Sequence, residues 1–377
     1  MTVISRWATL AFVFLLLTVP VAAKDIPPVK PWPQLSSDLP VDRDVRFGTL
    51  ANGMRYAIRR NTSPKGALSV RLRMDVGSLM ERDNEQGIAH MLEHMAFRGS
   101  KNVADGDVVR KLQSLGLTFG ADTNAFTQAT QTVFMFDMPK NDAASIDTSI
   151  LLMREIAGNL NIDQSALDTE RNVVLAEARL RDVPGQHLEK SNLSFLYGDR
   201  AASALMPIGL QDIIAHANAK LVRDFYDAWY RPERATLVIV GDIDPDQIEA
   251  KIKASFSGWT ARAPARTAPH YTPPAQHPAT VKLFAEPGAQ TFVLFDWLTP
   301  FDDAPDNKAK ETREMRRYAA LAVINQRFAA LEHGANPPFI SAVASHDQVG
   351  NIADSTEIAV NYRTGDGIIG MQTAERS

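Results

Sequence analysis

The hydrophobic patterning of this chain predicts an α+β protein, an antiparallel sheet packed with helices. Three observations carry that reading. Ala67 to Val76 alternates, with Leu68, Val70, Leu72 and Met74 on one face and Arg71, Arg73 and Asp75 on the other, the period of a half-buried strand. Between residues 84 and 229 most segments instead repeat at helical spacing, and Thr132 to Met138 returns to strand character. After a proline-rich stretch the order of strand, helix and strand begins again, which suggests a second unit of the same class.

The elements follow in chain order. Arg6, the apolar run from Ala8 to Val21 and the small residues Val21-Ala22-Ala23 form the pattern of a secretory signal peptide over residues 1–23, cleaved after Ala23. The apolar run is shorter than the ~20 residues a membrane span requires, so no span is expected after cleavage. Residues 24–40 are proline-rich and aperiodic, an extended leader. Asn52-Gly53 separates two strand-like runs, 45–50 and 54–59, and Asn-Gly there signals a hairpin. Helical patterns cover about 84–97, 105–115, 141–159, 164–183 and 217–229. A strand at 235–240, closed by Gly241-Asp242, and a helix at 245–256 complete a first domain over 41–259. Pro264, Pro269, Pro273, Pro274 and Pro278 mark a linker over 260–280. A second α+β domain is expected over 281–377, with strands near 281–285, 291–297, 340–345 and 357–362 and a helix near 309–331. It is expected to be incomplete, because only ten residues follow Gly367.

Composition narrows the chemistry. The chain has 377 residues, 45% hydrophobic and 22% charged, with a net charge of −4. That balance suits a globular protein and gives no basic face for nucleic acid. There are no cysteines, so thiol chemistry and structural Cys-zinc sites are excluded, and any metal must be held by His, Asp and Glu.

One segment concentrates such residues: His90-Met-Leu-Glu93-His94. On a helix, Ile88, Met91, Leu92 and Met95 share one face, while His90, Glu93, His94 and Phe97 share the opposite one. Imidazoles at i and i+4 can converge on one ion, and Glu93 can reach a water bound to that ion. Asp83 or Asn84 is placed to cap the start of this helix, and Gly99 to end it. Catalytic zinc normally takes three protein ligands and keeps a fourth position for water. A third is sought on the helix over 164–183, where Glu170, Val173, Val174 and Glu177 form one stripe. Carboxylates among valines on a packing face are costly unless paired or metal-bound. The competing reading has both glutamates reach solvent or pair with Arg171 or Arg179. Beside the His pair, a ligand and an outer-shell partner account for them better.

The segment matches the His-x-x-Glu-His signature of the inverzincins. With Glu170-Arg171-Asn172-Val173-Val174-Leu175-Ala176-Glu177 it resembles the pitrilysin/insulinase family of zinc metallopeptidases. Asn52-Gly53-Met54-Arg55-Tyr56, Gly77-Ser78, Asn124-Ala125-Phe126-Thr127, Pro207-Ile208-Gly209 and Val240-Gly241-Asp242-Ile243 add to the likeness, which is strong from about 44 to 258. Within the family it is greatest to the large bacterial periplasmic zinc proteases. The resemblance implies two similar domains in tandem, one half of a clam-shaped peptidase, in a periplasmic or secreted protein. It implies one Zn2+ per chain on His90, His94 and Glu177, with Glu170 behind the ligands and Glu93 as general base. It also implies that a peptide substrate adds as a strand along Asn124, Ala125, Phe126 and Thr127. By residue type alone Asn124 is an ordinary turn residue, and Phe97 and Phe126 read first as core.

In the family a second half closes over the substrate and supplies an Arg and a Tyr, and no residues here take those roles. Three expectations therefore stand: a truncated product, a chain that pairs with a partner, or a divergent member working alone. Two functions compete: a zinc endopeptidase, and a non-catalytic or partner-requiring subunit of the same fold that binds zinc. A third reading, a periplasmic metal-binding protein without catalysis, has no use for Glu93 beside the ligands, so Glu93 is the discriminating residue.

Overall fold

The structure, a computed structural model, describes residues 31–118, 120, 123–271 and 279–362. The expected signal peptide, the first part of the leader, the middle of the linker and the stretch 363–377 of the second domain lie outside the described residues.

Two sheets organise the chain. The first has six strands: β1 (Val45–Thr49), β2 (Arg55–Arg60), β3 (Leu68–Met74), β4 (Thr123–Thr127), β5 (Thr132–Met138) and β6 (Ala235–Gly241), in the order β1-β2-β6-β3-β5-β4. The pairings are antiparallel except for β2 with β6, which run parallel. The Asn52-Gly53 turn forms as expected, with Gly53 at φ 91°, a conformation glycine adopts without steric cost. The Asn52 amide also donates to the carbonyls of Phe256 and Trp259 at 2.8 and 2.9 Å. In β3 the alternation is realised: Leu68, Val70, Leu72 and Met74 are buried, while Arg71 on the other face forks onto both Asp137 oxygens at 2.8 and 2.7 Å.

Helices cover the apolar face: α1 (Ile88–Met95), α2 (Asp107–Ser114), α3 (Ala143–Gly158), α4 (Gln164–Leu180), α5 (Pro184–Tyr197), α6 (Asp199–Ala204), α7 (Gln211–His216), α8 (Ala219–Trp229) and α9 (Pro245–Phe256). In α1, Ile88, Met91, Leu92 and Met95 are fully buried, so its apolar stripe faces the core as the spacing requires. Its start differs from expectation. Gly87 sits at φ 102°, a left-handed conformation that stops the helix from extending back to residue 84. The orphan N–H groups of Gly87 and Ala89 are taken by the buried Glu81 carboxylate at 3.0 and 2.7 Å. Asp83, expected as a cap, instead accepts from Arg200 at 2.9 Å.

The second sheet pairs β7 (Phe292–Pro300), β9 (Ala353–Asn361) and β8 (Ser341–Val349), all antiparallel, in the order β7-β9-β8. Helix α10 (Lys308–Glu332) packs Leu321 and Phe328 against Phe339, Ala342, Ala344 and Val360. No strand forms at 281–285. Phe284 instead meets Phe195 of α5 edge-on at 6.2 Å, with the Lys282 ammonium over the same ring. Val281 and Leu283 are left 94% and 91% exposed. A small cluster of Leu79, Ala201, Ala204 and Ile352 packs α6 against the β8–β9 turn. Among the described residues no helix is long and apolar enough to cross a membrane.

Candidate active site

The polar stripe of α1 meets the stripe of α4 beside the edge strand β4. One ligand atom from each of His90, His94 and Glu177 falls in a group with no pair more than 4.8 Å apart. Oε2 of Glu177 lies 3.7 Å from Nε2 of His90 and 3.6 Å from Nε2 of His94. The two rings stand edge to face, 4.8 Å between centroids and 89° between planes, as the i, i+4 spacing allows. Behind them, Glu170 Oε2 faces Nδ1 of His94 at 3.3 Å, and its other oxygen pairs with Arg98 at 3.3 Å. Arg98 in turn pairs with Asp105 at 2.9 Å. A carboxylate on the far nitrogen fixes both the tautomer and the orientation of a ligand histidine.

Glu93 is buried on the same face of α1, and its Oε2 accepts from the Thr127 hydroxyl at 2.6 Å. Burial raises the Glu93 carboxyl, against the lowering effect of that hydrogen bond. Burial pushes the His90 imidazole down to about 3, helped by the charges of His94 and Arg181. Burial also disfavours a charged His94, but the Glu170 hydrogen bond and the carboxylates of Glu93, Glu170 and Glu177 outweigh it and raise its pKa.

The arrangement fits a zinc ion. Two imidazole nitrogens and one carboxylate oxygen are a borderline donor set suited to zinc, manganese or cobalt. Zinc bonds of ~2.0–2.2 Å require donors within about 4.2 Å of each other. Both contacts of Glu177 meet that limit, and the whole group spans at most 4.8 Å. His90 stays neutral, as a metal ligand must.

These residues line a cavity of about 590 Å³ together with Asn124, Ala125, Phe126 and Thr127 of β4. All nine residues singled out in the sequence thus come together. Asn124 accepts from the neighbouring Ala125 amide at 2.9 Å. β4 ends the sheet order, paired on one side with β5. Phe97, Phe126, Val173 and Ile208 also face the cavity, so the two phenylalanines are not simply core. Sequence reasoning missed Arg98 and Arg181, each one helical turn after a candidate ligand. The i, i+4 spacing was the available signal. Arg171, weighed as a partner for the glutamates, turns away to Asp168 and to the carbonyls of Ile214 and Ala217.

Comparisons with known proteins agree with this picture. The family model described as Insulinase (Peptidase family M16) matches residues 56–199, and one described as Peptidase M16 inactive domain matches residues 216–375. A probable zinc protease PqqL of Haemophilus influenzae is 35% identical over 222 residues, 59% of this chain and 24% of that protein. The crystal structure of the first half of the periplasmic protease PqqL from Escherichia coli superposes with a TM-score of 0.74 at 25% identity, covering 89% of this chain and 72% of that one. The whole E. coli protease gives a TM-score of 0.76 at 26% identity over 89% of this chain and 37% of that one. The match spans about a quarter, 24%, of the length of the PqqL relatives of both bacteria.

Proposed function

We propose, from the premise that this chain belongs to the insulinase family of peptidases (peptidase family M16), that it carries the zinc-binding and catalytic half of an endopeptidase acting on peptides in the periplasm or outside the cell. The observation that supports this best is the buried Glu93 carboxylate, set on one helix face between two imidazoles that share the Glu177 oxygen.

His90, His94 and Glu177 would hold the zinc ion, which when bound would supply a water of lowered pKa and a positive charge facing the scissile carbonyl. Glu93 takes the proton of the attacking water and returns it to the leaving nitrogen as general base and then general acid. Its Oε2 is engaged by Thr127, so Oε1 is the oxygen that holds the proton. Glu170 keeps His94 oriented. The free edge of β4 receives an extended peptide as an added strand, with side chains against Phe97, Phe126, Val173 and Ile208.

The second reading is a chain that binds zinc but needs a second half or partner chain to complete the cleft. It is favoured by the match to a first half of the E. coli protease. Hydrolysis of a quenched fluorescent peptide library by the purified chain separates the two. Cleavage that zinc restores and a chelator stops supports the first. Stoichiometric zinc without cleavage transfers the case to the second.

Thr127 carries a prediction of its own. Thr127→Val removes the donor to a buried carboxylate, which raises the pKa of Glu93 further. We expect kcat/KM to fall by roughly tenfold, the scale of one hydrogen bond to a charged group, and the acid limb of its pH profile to move to higher pH. Thr127→Ser should restore both. An unshifted profile in the valine variant would remove Thr127 from this role.

A further inference from the structure

Arg181 is the C-cap residue just after α4, one turn beyond Glu177. Its guanidinium binds Oε1 of Glu177. The carboxylate therefore presents Oε2, the oxygen near-equidistant from the two imidazole nitrogens. The terminal torsion of a glutamate is broad and roughly two-fold, and the Glu177 side chain is only partly buried. Among the described residues no other hydrogen bond holds Oε1. We propose that Arg181 is a positioning residue for the metal centre, locking the Glu177 carboxylate so that Oε2 meets His90 and His94 and thereby tightening zinc binding. This rests on the reading of His90, His94 and Glu177 as ligands.

Two effects of the guanidinium oppose each other. It restricts the ligand before the ion arrives, so less freedom is lost on binding. It is also a cation near a cation site. Its side chain is 52% exposed, and charge repulsion at such a position is screened by water and salt. The ordering effect therefore dominates. Arg98 makes the matching arrangement on the other wall, holding the Glu170 carboxylate that faces His94. Glu170 and Glu177 are thus each fastened by an arginine through the oxygen that does not face the imidazoles.

The test is zinc affinity of the full chain, measured by competition with a chromophoric chelator for wild type, Arg181→Gln, Arg181→Lys and His90→Ala. Cobalt(II) absorption reports ligand geometry, and thermal melts of the metal-free forms check folding. Loss of an outer-shell partner costs about 10–100-fold in metal affinity, and that range is expected for Arg181→Gln, with altered cobalt bands and an unchanged metal-free melt. Arg181→Lys should lie between glutamine and wild type. Wild-type or tighter zinc binding in Arg181→Gln, while His90→Ala loses the metal, overturns the role of Arg181 and leaves the site standing. A loss in Arg181→Lys as deep as in Arg181→Gln also overturns it. Wild-type zinc binding in His90→Ala removes the metal reading and this inference with it.

Discussion

Glu93→Gln is expected to abolish hydrolysis while leaving zinc binding at wild-type stoichiometry. The amide keeps the size of the carboxylate and can still accept from Thr127 through its oxygen, so packing on the α1 face is preserved. It cannot accept the proton of the attacking water. A positioned general acid–base group contributes about 10²–10⁴-fold, and kcat/KM should fall by at least that range. The pair of measurements is kcat/KM on a quenched peptide and bound zinc per chain. Equal activity in both forms would exclude Glu93 as the base. Parallel loss of zinc would make it part of the ligand framework instead.

His94→Ala is expected to have the largest effect on the metal itself. It removes a donor atom rather than a residue behind one, so zinc affinity should fall by more than the ~100-fold that loss of an outer-shell partner can give. Glu170 remains paired with Arg98 in this variant, which prevents an abandoned buried carboxylate from confusing the result. Glu170→Gln supplies the comparison and should fall inside the outer-shell range. A ligand that binds only the folded state raises its stability, so added zinc should raise the melting temperature of wild type and leave that of His94→Ala unmoved. If the two variants lose zinc equally, the division between ligand and support is wrong.

The parts of this site that were legible before the structure are those set by helix geometry. His90, Glu93 and His94 lie within one and a half turns, and their common face follows from 3.6 residues per turn. Glu170 and Glu177 share a stripe for the same reason, and the family resemblance divided their roles. What remained hidden depends on contacts across elements. The resemblance places Thr127 against substrate, whereas its hydroxyl contact with Glu93 joins residues from different elements, α1 and β4. β4 is five residues with no useful alternation, and α5 buries only Leu188, so neither carries an apolar period to read. The strand expected at 281–285 has the alternation of a strand, but side-chain packing on Phe195 took the place of a ladder partner. The cap of α1 came from Glu81, six residues before Gly87, farther away than local capping rules search.

The parallel pairing of β2 with β6 bears on how the molecule assembles. Arg55 stands opposite Thr236, and every residue of the candidate site lies between those two strands in sequence. The site is therefore carried on one long excursion whose two ends are hydrogen-bonded side by side. Closing such an excursion costs entropy that grows only slowly with its length, but pairings this far apart in sequence form late and slowly. The two walls of the site, α1 and α4, thus share a single topological closure. A nascent chain cannot complete that closure until β6 has been made, well after both histidines and Glu177 have been synthesised.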